Sequence, residues 1–202
     1  MFTGIIETMG MVSAVTPLDR GVRLQVEAPS FDASLVAGES VCVSGVCLTM
    51  LDDATERMEF DAVEETLQRS SLGALRVGSR VNLEKSVSLQ QRLGGHLVQG
   101  HVDGMGQVLS VELRGVERWI TVGAQESVLR YIVEKGSIAV DGVSLTVAAL
   151  QRDTFSLAII PHTAEVTTLG DLSAGDRVNL EVDILAKYVE KLAAPYAAER
   201  SL

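Results

Sequence analysis

The chain aligns with itself, and this internal repeat limits its possible folds more than any other feature. SVCVSGVCLTM at 40–50 matches SIAVDGVSLTV at 137–147 at an offset of 97 residues, and GSRVNLE at 78–84 matches GDRVNLE at 175–181 at the same offset. TLQRSSLGAL at 66–75 and TAEVTTLGDL at 163–172 also lie 97 apart, whereas GIIETMGMV at 4–12 and GHVDGMGQV at 100–108 lie 96 apart. One residue was gained or lost early in the unit. Four blocks in one order at nearly one offset mark a duplication. The 202 residues therefore divide into two domains of ordinary size.

Each unit reads as short runs rich in Val, Ile, Leu and Thr separated by Gly, Ser, Asp and Asn, the pattern of strands and turns. Val43, Val46 and Leu48, with their counterparts Val140, Val143 and Leu145, lie in such runs. The intervals are too short for crossover helices, so the expected class is mainly all-β, an antiparallel barrel or sandwich written twice. Helices are expected in PSFDASLVAG and, longer, in AQESVLRYIVEKG, each capping or plugging its barrel.

SVSLQQRLGGHLVQ joins the units, with Gly94-Gly95 predicting a flexible turn and a boundary near residue 92. DILAKYVEKLAA has no counterpart in the repeat. Its Ile184, Leu185, Tyr188, Val189 and Leu192 fall at helical spacings, Asp183 stands where an N-cap would, and Pro195 where the helix should end. This predicts domains at 1–92 and 93–183 and a helix over 184–202 that buries its stripe by oligomerisation.

The net charge of −10 and pI near 4.8 provide no basic footprint for nucleic acid or anionic lipid. No membrane-length apolar run and no secretory leader is present, which predicts a cytoplasmic protein. Cys42 and Cys47 fall in one apolar run where alternation puts them on opposite strand faces, so a disulfide framework is not expected. His96, His101 and His162 lack zinc-ligand spacing, and no P-loop, dinucleotide fingerprint or G-x-S-x-G elbow occurs.

The informative positions are those where the copies differ: Ile5 against His101, Ser44 against Asp141, Cys47 against Ser144, Glu65 against His162. Ser40 and Ser137, Thr49 and Thr146, Thr66 and Thr163 are retained pairs. Cys47 between Val46 and Leu48 fits a buried structural thiol as well as a nucleophile. His101 suits proton transfer near neutral pH and equally a satisfied or exposed histidine. Asp183 fits a helix cap and, alongside it, a catalytic carboxylate. The threonines suit strands and can also hydrogen-bond a ligand in each barrel. Read alone, these residues define a tandem β-barrel with two small-molecule sites.

The stretches MFTGIIE, GVCLT, ETL, GGHLVQGHVDG, DGVSLTV, IPHT with TTLG, and RVNLEVD resemble, in order and over nearly the whole chain, the riboflavin synthase α-chain family. Where some members carry adjacent cysteines this chain has Val46-Cys47, keeping the second. The resemblance implies two six-stranded antiparallel β-barrels and a C-terminal α-helix that drives homotrimer formation. It implies a reaction without metal or cofactor. Two 6,7-dimethyl-8-ribityllumazine molecules exchange a four-carbon unit to give riboflavin and 5-amino-6-ribitylaminouracil, one bound in the N-barrel of one subunit and one in the C-barrel of a neighbour. Matching motifs carry catalytic roles to Ser40, Cys47 and His101 on the first barrel and to Thr146 and Asp183 on the second. They carry substrate-binding roles to Phe2, Thr3, Gly4, Thr49, Glu65, Thr66, Val102, Lys135, Ile160, His162 and Thr163. Two rivals remain: a non-catalytic carrier resembling the lumazine proteins, in which the Gly-His step and the SLT threonine are altered, and a purely structural scaffold. His101 and Thr146, both present, favour the enzyme.

Overall fold

In the computed structural model, residues 1–31, 35–53 and 57–199 are described. Among these residues twelve strands form two six-stranded antiparallel sheets. The first unit holds β1 (Thr8–Leu18), β2 (Gly21–Glu27), β3 (Ser40–Val43), β4 (Val46–Thr49), β5 (Arg57–Val63) and β6 (Arg80–Lys85). The second repeats them as β7 (Gly104–Arg114), β8 (Glu117–Gly123), β9 (Ser137–Val140), β10 (Val143–Leu150), β11 (Thr154–Ile159) and β12 (Arg177–Val182). The second sheet closes as a barrel in the order β10-β11-β8-β7-β12-β9. The first runs β4-β3-β6-β1-β2-β5, and its edges meet through a Met50–Phe60 bridge and the Leu51 N–H to Glu59 carbonyl bond of 3.0 Å. Register shifts recur at matched places, Val12/Ala14 and Val108/Ser110. The duplication thus extends to the bulges, which bend long strands around small barrels.

Each interior is filled. Val41, Val43, Val46 and Leu48 join Leu24, Phe60 and Leu83 in the first core; Ile138, Val140, Val143 and Leu145 join Ile120, Phe155 and Leu180 in the second. Two-residue turns create the inward alternation of the central hairpins. Ser44-Gly45 (φ 43° and 84°) joins β3 to β4, and Asp141-Gly142 (φ 45° and 81°) joins β9 to β10, both with the left-handed pair that a tight hairpin requires. The tips face each other: a Cβ on Gly45 would lie 2.8 Å from the Gly142 nitrogen, and the reverse approach is also 2.8 Å.

The turn corrects the expected placement of the cysteines. Their run is a hairpin rather than one strand, so Cys42 and Cys47 are direct cross-strand partners on one face, both as free thiols. Gly94 and Gly95 are exposed, and at Gly95 the linker backbone runs close to its neighbours. A Cβ at Gly95 would stand 2.1 Å from the Thr3 carbonyl oxygen and 2.7 Å from the Ser144 Cβ.

The helices differ from expectation in length and place. Residues 32–34 of PSFDASLVAG lie outside the described residues; Phe31 and Leu35 beside them are buried in the first core. In AQESVLRYIVEKG only α2 (Glu126–Leu129) is α-helical, because Tyr131 and Ile132 donate three residues back, to Val128 and Leu129. That tightening turns Val128, Leu129 and Ile132 into the core, so the segment does cap the second barrel. Two six-residue helices, α1 (Glu64–Arg69) and α3 (Pro161–Val166), were not expected, being too short for a periodic signal. The terminal helix α4 (Ile184–Glu199) continues through Pro195, which costs one backbone bond in a run otherwise rich in alanine. Asp183 caps it, its Oδ1 accepting from the Leu185 N–H at 3.0 Å.

Paired asparagines lock the barrels together. Asn82 Nδ2 donates to the Asp141 carbonyl (2.9 Å) and its Oδ1 accepts from the Thr168 N–H (2.8 Å). Asn179, 97 positions on, repeats the arrangement in reverse, with Ser44 (2.7 Å) and Ser71 (2.6 Å). Each barrel satisfies backbone groups of the other, giving the molecule an internal pseudo-twofold axis.

Candidate active site

Alternation on the central hairpins separates core from chemistry. With Val41, Val43, Val46 and Leu48 inside, Ser40, Cys42, Cys47 and Thr49 share the outer face, paired as Ser40–Thr49 and Cys42–Cys47. On the second barrel Ser137–Thr146 and Ala139–Ser144 pair on the equivalent face. Candidate hydroxyls and thiol therefore point away from the packed interiors, and a ligand meeting them lies against a barrel wall instead of inside a barrel.

A peptide segment crosses each face, and the two segments are exchanged. Gly100, leading into the second unit, accepts the Cys47 N–H of the first barrel at 2.8 Å; Gly4, leading into the first unit, accepts the Ser144 N–H of the second at 2.8 Å. Val102 packs on the first core and Ile6 on the second. Both glycines are required: a Cβ at Gly100 would fall 2.6 Å from the Cys47 Cβ, and one at Gly4 2.5 Å from the Ser144 Cβ. The step before His101 thus lies against Cys47 of the first barrel, and the step before Ile5 against Ser144 of the second.

Two buried glutamates hold the segments. Glu84 accepts from the Thr3 N–H (2.6 Å), Thr3 Oγ1 (2.7 Å) and the Gly4 N–H (2.9 Å). Glu181 accepts from the N–H groups of Gln99 (2.6 Å), Gly100 (2.8 Å) and His101 (2.9 Å). Burial pushes both carboxyls above the usual range, and the accepted hydrogen bonds oppose that rise. Neither glutamate was singled out from sequence, although the RVNLE repeat contains both. Asp103, one step beyond the second segment, accepts from the Val182 N–H at 3.0 Å and pairs with Lys187 of α4.

The remaining predicted residues flank these faces. Phe2 is fully buried and Thr3 nearly so. Exposed Glu65 pairs with Arg69, and half-buried Thr66 gives its carbonyl to the Ser70 hydroxyl at 2.6 Å. In the second unit half-buried Thr163 accepts equivalently from Thr167, His162 is exposed, and Ile160 precedes α3 with 53% of its surface open. Lys135 is exposed at φ 65°, its N–H donating to the Val147 carbonyl at 2.9 Å. His101, Thr49 and Thr146 are exposed and Cys47 half-buried.

The structure adds a residue that spacing could not reveal. His96, 7% exposed, places Nδ1 2.7 Å from the Ser144 hydroxyl, and its buried Nε2 has no partner among the described residues. Burial lowers its pKa, and the charge of Asp183 works against that drop. The second face thereby gains a histidine from the linker where Ile5 offers none. Cavities of about 890 and 600 Å³ lie elsewhere, lined by none of the predicted residues; one of about 510 Å³ includes Glu65. The hairpin faces themselves are open walls, with Thr49, His101 and Thr146 exposed. Among the described residues no cluster of His, Cys, Asp and Glu is grouped for a metal ion, and no helix is long and apolar enough to cross a membrane.

Two closely related barrels with diverged polar faces define a protein of tandem ligand-binding domains. The lumazine binding domain family matches it twice, at residues 3–86 and 99–183. Riboflavin synthase of Mycobacterium bovis is 50% identical over 198 residues, covering 95% of this chain and 98% of the relative. The riboflavin synthases of Photobacterium phosphoreum and Bacillus subtilis are 42% and 36% identical, covering 95% and 94% of this chain and 88% of each relative. The crystal structure of LumP complexed with riboflavin superposes with a TM-score of 0.83 at 23% identity, covering 90% of this chain and 99% of that one, a likeness of fold. The chain belongs to the riboflavin synthase family, transferase-class enzymes of riboflavin biosynthesis.

Proposed function

We propose that this protein converts two molecules of 6,7-dimethyl-8-ribityllumazine into riboflavin and 5-amino-6-ribitylaminouracil by transfer of a four-carbon unit, the final step of riboflavin biosynthesis. The observation that carries this reading is the exchange of leading segments. It gives one wall Ser40, Cys47, Thr49 and His101 and the other Ser144, Thr146 and His96, so two copies of one substrate meet different chemistry. The reaction needs a proton removed from the 7-methyl group of one lumazine, a nucleophile added to the ring of the other, and the proton returned. His101 or Ser40 relays protons on the first wall, and Cys47 or water supplies the nucleophile. Thr146 and Asp183 serve the second wall. Phe2, Thr3, Gly4, Thr49, Glu65, Thr66, Val102, Lys135, Ile160, His162 and Thr163 position substrate. Holding two stacked rings in register supplies up to roughly 7–11 kcal/mol of acceleration.

On this reading residues 1–92 and 93–183 are the two lumazine-binding domains, and 184–202 carry the oligomerisation helix of a cytoplasmic homotrimer. Openness of both walls within one chain supports a site closed by a neighbouring subunit. Exposed Leu185, Tyr188, Val189 and Leu192 support α4 as the contact. The carrier reading draws on the likeness to LumP; His101 and Thr146 favour the enzyme.

Incubation of the purified protein with the lumazine alone tests this. The enzyme produces riboflavin, followed by its absorbance and by chromatography. A folded oligomer that shifts lumazine fluorescence without forming riboflavin is a carrier, and one that does neither is a scaffold.

A further inference from the structure

We propose that Cys42 and Cys47 form an oxidation site in which a hydroperoxide links them as an intramolecular cross-strand disulfide. Three observations lead there. First, the thiols are direct partners in the β3–β4 register, so their side chains leave the same face. Second, the pair is of the non-hydrogen-bonded kind, since the Cys47 N–H is turned outward to the Gly100 carbonyl at 2.8 Å. Cα atoms of such a pair stand about 4.5 Å apart, inside the roughly 4.4–6.8 Å that a disulfide spans. Third, Cys42 lies in a buried cluster with Phe2, Val98 and Ala139, and half-buried Cys47 packs against that cluster, so the same neighbours confine both side chains.

Exposure orders the steps. Cys47 is half-buried and meets the oxidant; Cys42 is 1% exposed and does not. The Cys47 sulfur attacks the peroxide oxygen, the O–O bond breaks, and Cys47 becomes a sulfenic acid with release of water or an alcohol. The Cys42 sulfur then displaces the hydroxyl, the S–S bond forms, and its proton leaves with that hydroxyl as water. Two sulfurs lose one electron each and the peroxide gains both. Burial, which pushes the Cys42 thiol up, slows the second step, while the fixed register favours it over collision with another chain. Dithiol reductants reverse the link. The second barrel has Ala139 and Ser144 at the matched pair, so the site belongs to one half of the molecule only. It does not depend on Cys47 taking part in catalysis.

Folded full-length protein treated with hydrogen peroxide, then denatured and alkylated, tests the assignment by intact mass and peptide mapping. The expected product has lost two hydrogens, takes up no alkyl group, yields a linked Cys42–Cys47 peptide pair and reverts with dithiothreitol. Cys42→Ala, which copies Ala139 at the equivalent position and should therefore fold, is expected to stop at sulfenic or sulfinic acid on Cys47. The assignment is overturned if peroxide leaves Cys42 alkylatable after denaturation, if linked chains form between molecules instead, or if Cys42→Ala and the parent give the same oxidation products.

Discussion

Phe2 and Val98 exchange both backbone hydrogen bonds, the Phe2 N–H to the Val98 carbonyl at 2.7 Å and the Val98 N–H to the Phe2 carbonyl at 3.1 Å. They occupy the same position in the two units, 96 residues apart, so this bridge sits on the pseudo-twofold axis where the leading segments cross. Both are fully buried. Phe2→Ala is expected to cost about 3–5 kcal/mol, the usual loss for a buried phenylalanine, and to loosen both segments. Urea unfolding reads the first effect and riboflavin formation the second; a variant with parental stability would contradict the placement.

Glu181 carries the Cys47 wall's segment on three N–H groups. Glutamine keeps one carbonyl acceptor and brings an amide that clashes electrostatically with the N–H groups left over. Glu181→Gln should lose about 1–3 kcal/mol. Its turnover should fall with it, because the third of those N–H groups belongs to His101. Glu84→Gln should behave similarly through Thr3 and Gly4. Steady-state kinetics beside denaturation curves decides; unchanged turnover in both variants would show that the clamps do not order the sites.

Asp141 replaces Ser44 at the hairpin tip, is 7% exposed, and accepts the Asn179 N–H at 2.8 Å. Burial raises its pKa from 3.8 to about 7. A carboxyl raised in the folded state stabilises fully below its unfolded pKa, and that contribution is lost as pH climbs to the folded value. Asp141→Asn keeps the acceptor and tolerates the positive φ. Its stability advantage should therefore grow from pH 4 to about pH 7 and then level off. A constant difference across that range in thermal melts would refute the neutral aspartate.

His96 should titrate below its ordinary 6.5, since burial disfavours the charged ring. Here the sign is opposite: a depressed histidine stabilises above its unfolded pKa, and the contribution is lost as pH falls. Histidine NMR titration checks this directly, and Ser144→Ala should alter the His96 ring signals through the lost 2.7 Å bond. An ordinary titration near 6.5 insensitive to Ser144 would remove His96 from the second wall.

Leu192 is 71% exposed on α4. Leu192→Glu should leave the chain folded, as judged by circular dichroism, while lowering its mass in light scattering and its activity together. A fully active monomer would separate catalysis from assembly.

Repetition determined most of the architecture from sequence alone: two β-rich units, their strands and the capping Asp183 follow from local periodicity and matched blocks, which need no knowledge of what touches what. The same source fixed which polar positions diverged, Cys47 against Ser144 and Ile5 against His101. Tertiary structure decided where those differences meet. Sequence offset pairs His101 with Ile5, yet exchange of the leading segments sets His101 beside Cys47 on the opposite barrel. The His96–Ser144 contact spans 48 residues and Glu181–His101 spans 80, separations that no periodicity encodes. A two-residue turn at Ser44-Gly45 likewise reversed the reading of the cysteines, because strand alternation holds only until the chain turns back on itself.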